Sequence, residues 1–205
     1  MSDRASTDPA HLPVPGPQGY GATPPSSGAK GAAVLLVPFL VGGAVTVALG
    51  AYGSLHEPTF VAVNLAGFSG ALAAKTWLAS AAVVLAIVQL VSAFAMYGKL
   101  PGVTAPSWTA TLHRWSGRAA FLLAVPVAIH CLYAAGFQTG STRVLLHSLL
   151  GCFFFGAFTA KMLFLSRKGV PGWALPLFGG LVFTGLVGLW LTSSLWFFTT
   201  FGVKL

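Results

Sequence analysis

Apolar residues gather into five long runs separated by short polar stretches, at roughly residues 32–55, 73–97, 111–137, 143–166 and 173–200. Each exceeds the about 20 apolar residues a helix needs to cross the hydrocarbon core of a bilayer. In lipid a segment must satisfy its own backbone groups, which only helices and closed barrels do. None of the runs shows the alternating pattern of a barrel strand. The pattern therefore predicts an all-α, polytopic membrane bundle of about five transmembrane helices.

Residues 1–30 break the pattern. They hold six of the 13 prolines (Pro9, Pro13, Pro15, Pro17, Pro24 and Pro25) with Gly, Ser and Thr between them. Such a stretch cannot bury enough apolar surface to fold, so it predicts a disordered tail, with residues 31–205 forming the transmembrane domain. The first apolar run begins too far into the chain for a signal peptide and reads as an uncleaved anchor.

Composition agrees with the pattern: 56% of residues are hydrophobic and only 7% charged, against the roughly one quarter charged in soluble domains. The net charge of +8 comes from 11 Lys and Arg scattered among loops and helix ends, with no basic stripe for nucleic acid. They predict topology instead. With the N-terminus cytoplasmic, Arg4, Lys30, Lys99, Arg114, Arg118, Lys161, Arg167 and Lys168 fall inside, and Lys75, Arg143 and Lys204 outside. The expectation is a multi-pass cell-membrane protein with its C-terminus extracytoplasmic. Glu57 is the one carboxylate beyond the tail, too few for a proton relay. Cys131 and Cys152 lie inside apolar runs and form neither a disulfide framework nor a CxxC pair. Glycines within the spans, such as Gly42, Gly156 and Gly180, read most simply as points of close helix packing.

Ionisable groups inside membrane spans are costly and raise a functional question wherever they occur. His130 and His147 flank the turn "GFQTGST" symmetrically, so an antiparallel hairpin puts both at nearly one depth, within about 13 Å of the turn. Small residues follow one turn later, Ala134 after His130 and Gly151 after His147, where a flat macrocycle could approach. Imidazole is a common axial ligand of haem b, and the pair suggests such a site. Helices in contact run about 8–10 Å apart, so a macrocycle between them requires the two to splay. Pro126, one turn before His130, offers a bend. The alternative is that each histidine makes an interhelical hydrogen bond. His56, beside Glu57 and Pro58, could join His130 and His147 in a non-haem metal site. His113 lies 17 residues before His130, about 100° away around the helix, so the two form no single stripe. With Arg114 and Arg118 it suits an anionic or polar head: a lipid phosphate, a haem propionate or a quinone.

The segment "LHRWSGRAAFLLAVPVAIHCLYAAGF" resembles the histidine-bearing helix of b-type cytochrome and ferric-reductase-like membrane proteins, in its His-Arg-x-x-Gly-Arg start and later histidine. That resemblance implies haem ligation by His113, His130 or His147 and electron transfer, with quinol and an extracytoplasmic electron carrier as partners. No nicotinamide or flavin domain is expected, making the chain at most an electron-transfer subunit of an oxidoreductase complex. The run from "AKTWLASAAVVLAIVQL" through "HSLLGCFFFGAFTAK" also resembles a family of actinobacterial integral membrane proteins of no established activity. Three readings follow: a b-type cytochrome-like subunit, a non-catalytic assembly or scaffold subunit working with other membrane subunits, and a non-haem metal-binding membrane protein.

Overall fold

The computed structural model describes residues 28–205 apart from Val63 and Leu65, with side chains from residue 32 onward. The expected tail, over residues 1–27, lies outside the described residues. Five helices follow one another: α1 (Gly28–Leu55), α2 (Ala71–Met96), α3 (Thr109–Ala135), α4 (Thr142–Leu165) and α5 (Ala174–Phe201). All five are long and apolar enough to cross a membrane, and no strand occurs among the described residues. The chain is thus an all-α, multi-pass membrane protein.

Two helices change geometry near their ends. Pro126 cannot donate a backbone hydrogen bond, and four residues later α3 widens into a π-helical stretch, His130–Ala135. Helix α5 does the same over Leu191–Leu195 before resuming as an α-helix. The π stretch of α3 stops at Gly136, where φ is 69° and an added Cβ would lie 3.1 Å from Pro58 Cγ, so both backbone and space call for glycine. Ser141 then caps α4, its hydroxyl accepting from Val144 N at 3.4 Å.

The helices form a ring in the order α1, α4, α5, α2, α3, closed where the π stretch of α3 meets α1. Crossings depend on small residues. At the α1–α4 crossing, a Cβ on Gly42 would come 2.6 Å from the Gly156 carbonyl, and one on Gly156 would run into Thr46. Gly43, Gly179 and Gly180 meet nothing within 4 Å, so close packing explains only some of the span glycines. One core cluster joins Ala82, Ala86, Ala124, Phe154 and Leu186 at the centre of the ring. Another joins Ala160, Phe164, Ala174 and Phe178 toward the end remote from the α3–α4 turn.

The consecutive helices α3 and α4 stand apart as backbones and touch through Phe121, which stacks on Phe158 at 4.3 Å. Around the α3–α4 turn the ring is tied by loop contacts. Phe137 N donates to Gly53 O (2.7 Å), Phe60 N to Ala134 O (3.1 Å), and Thr59 N to Tyr133 O (3.3 Å). At the same end the C-terminal residues fold onto the start of α2: Ser69 N donates to Leu205 O and Trp77 Nε1 to Lys204 O, both at 2.8 Å.

Candidate functional site

The gap between α3 and α4 is a cavity of about 270 Å³ at the turn end of the bundle, with walls from all five helices. Most of its surface is apolar, supplied by residues such as Leu49, Ala124, Phe155 and Leu186. Polar groups converge from α2 (Lys75), from the turn (Gln138), from α4 (Arg143, His147, Ser148) and from α5 (Thr192, Ser193). Cys131, Gly151, Trp190 and Trp196 also line the cavity. Both π-helical stretches border this space, one through Cys131 and Ala135, the other through Thr192 and Ser193.

His147 is the histidine that faces the cavity. Its Nδ1 lies 3.0 Å from Thr192 Oγ1. The Thr192 hydroxyl has one hydrogen, which it directs at Gly188 O (2.8 Å), so it accepts from Nδ1–H. That bond fixes the neutral ring as the Nδ1–H tautomer and leaves the Nε2 lone pair toward the cavity, 3.9 Å from Cys131 Sγ. Arg143, one turn earlier on the same face of α4, donates from Nη1 to Thr192 O at 2.6 Å. Its guanidinium lies 4.1 Å over the Trp196 ring. The π geometry of α5 thus presents both the hydroxyl and the carbonyl of Thr192 to α4.

The other sequence-predicted residues are dispersed. Cys131 sits level with His147, and His130 is one residue away along the helix, about 1.5 Å, but about a quarter turn around it. His130 is half-buried and does not line the cavity. The two imidazoles are therefore not brought to one space, and a haem b held between His130 and His147 does not fit this arrangement. His56 is enclosed elsewhere: its ring stacks between Tyr52 and Tyr133, 5.0 Å from each, and its Nε2 donates to Tyr133 O at 3.1 Å. Among the described residues no group of three or more His, Cys, Asp or Glu is placed to hold a metal ion, so His56, Glu57, His130 and His147 form no metal centre.

His113 also parts from its expected neighbours. It faces α2, where its Nδ1 donates to Ser92 Oγ (2.9 Å), the Ser92 hydroxyl itself donating to Gln89 O (3.1 Å). The Gln89 amide donates to His113 O and to Ser116 Oγ. Arg114 and Arg118 point away and are exposed, Arg114 donating to Thr111 Oγ1 (3.1 Å) and Arg118 lying 5.0 Å over the Trp115 ring. His113, like His147 with Thr192, makes an interhelical hydrogen bond, and the two arginines face away from it. Gly151, expected to admit a flat group beside His147, does line the cavity.

Sequence reasoning missed Lys75, Arg143, Cys131 and Thr192. Lys75 and Arg143 carried a usable signal: they are two of the three basic residues assigned to the turn end, with no acid nearby in sequence except Glu57. Thr192 carried none, because its role depends on how α5 is rotated against α4.

No curated protein and no solved structure matches the chain. A model built for a family of unknown function does match, over residues 35–205, which takes in α1 from residue 35, the other four helices and the whole cavity. The chain belongs to that family, DUF6529.

Proposed function

We propose that this membrane protein is a binding protein for an amphipathic molecule, whose polar head enters the cavity beside His147 while its apolar part lies along the helices. The observation that carries the reading is the cavity itself: apolar walls with a few convergent polar groups, the usual make-up of a small-molecule site. The fixed Nε2 lone pair of His147 accepts a hydrogen bond from a hydroxyl, and Lys75 and Arg143 donate. Quinol belongs to this class through its two hydroxyl groups, and an electron-transfer role enters by that route rather than through a haem. The balance of basic residues supports a cavity in the extracytoplasmic half of the membrane.

Thermal unfolding of the protein in phosphatidylcholine nanodiscs, titrated with oleate, oleyl alcohol and a short-chain ubiquinol, tests the reading. At least one amphiphile is expected to raise Tm saturably, by mass action on the folded state. Gly151→Leu fills the cavity, where an added Cβ would meet only Leu189 at 3.9 Å, and is expected to abolish that rise while the protein still folds. A Tm indifferent to all three amphiphiles removes the reading.

A further inference from the structure

We infer that the cavity takes an anionic head, a carboxylate or a phosphate, carried on a hydrocarbon chain, with Lys75 and Arg143 as its counter-charges. The inference deepens the reading above and rests on it. Both cations line the same cavity, one from α2 and one from α4, and no carboxylate side chain lines it with them. Glu57, the sole acidic side chain among the described residues, is exposed in the loop after α1. A charge held in a low-dielectric space is stabilised by an opposite one, and no carboxylate side chain lines the cavity to balance these two cations.

The surroundings favour the same sign of ligand. Helices α2 and α4 both begin at this end of the bundle, so the positive ends of their dipoles lie toward the cavity, where Leu72 and Val144 of their first turns contribute to its walls. Arg143 is held in place by Thr192 O and the Trp196 ring, which fixes the guanidinium and leaves further N–H groups for a bidentate acceptor. Beneath the charged rim the apolar walls suit an acyl chain.

Four ligands discriminate in phosphatidylcholine nanodiscs, with Kd taken from Tm shifts: oleate, oleoyl lysophosphatidate, oleyl alcohol and butyrate. At least one of the two chain-bearing anions is expected to bind about tenfold or more tighter than oleyl alcohol, and the tighter of them names the head. Lys75→Gln and Arg143→Gln are each expected to bring the ratio of anion to oleyl alcohol affinity down toward one. Oleyl alcohol binding as tightly as both anions overturns the charge assignment and leaves the amphiphile reading standing. Butyrate matching oleate overturns the requirement for a chain. Silence from all four overturns this inference, and the amphiphile reading falls with it only if the short-chain ubiquinol is silent too. Should either glutamine variant fail to fold, the comparison of oleate with oleyl alcohol on the unaltered protein decides alone.

Discussion

The Thr192 hydroxyl is a small group with a large consequence, since it decides which nitrogen of His147 faces the cavity. Thr192→Val keeps the shape and removes the acceptor. Hydrogen bonds between transmembrane helices contribute about 0.6 kcal/mol on average and up to about 1.7. The expected outcome is a loss of stability within that range, measured by thermal or denaturant unfolding, together with weaker amphiphile binding as the ring loses its fixed tautomer. A similar loss is expected for Gln89→Leu, which strips His113 O and Ser116 Oγ of one partner, with amphiphile binding unchanged because that cluster lies outside the cavity. At this scale the sequence was informative about which residues are unusual and silent about their partners. His147 and His113 stand out as ionisable groups in apolar runs. Their partners Thr192 and Ser92 are ordinary residues whose importance comes from helix rotation.

Between helices, the α1–α4 crossing is the most sterically exacting contact. Gly156→Val would drive side-chain atoms into Thr46 and the Gly42 carbonyl, and backbone cannot give way as a flexible side chain can. Overpacking of this kind costs about 1–3 kcal/mol, so a clear drop in Tm is expected. Gly180→Ala, at a position with nothing within 4 Å, is the control and should leave Tm nearly unchanged. The helices themselves were legible from hydropathy. Beyond the start of α1, every span lies within two residues of its expected limits. The phase of α3 was not legible. A rule of about 100° per residue holds as far as Ile129, but the π stretch starts at His130 itself and changes the rotation there. The depth of the histidine hairpin could therefore be read from the chain while its facing partner could not: Cys131, not His130, looks toward His147.

Across the whole molecule, the ring order α1–α4–α5–α2–α3 separates the sequence-adjacent helices α3 and α4 at their backbones, and that separation makes the cavity. The orientation proposed for the ring rests on the basic residues: among the described residues, seven of ten lie toward the end remote from the cavity. In intact cells, a cysteine introduced at Gly140, in the exposed α3–α4 turn, is expected to react with a membrane-impermeant maleimide. One introduced at Gly169, between α4 and α5, is expected to react only after permeabilisation. Reversed labelling would put the cavity in the cytoplasmic half and redirect the search for its ligand to the inner leaflet.

The hydrogen bonds from Ser69 and Trp77 to the carbonyls of Leu205 and Lys204 have a practical corollary for anyone purifying this protein. Lys75 sits between those two anchors in the chain, so an affinity handle fused after Leu205 would tug on the turn that presents the ammonium group. Handles belong at the opposite terminus, and a ligand signal lost on C-terminal fusion would report the handle rather than the site.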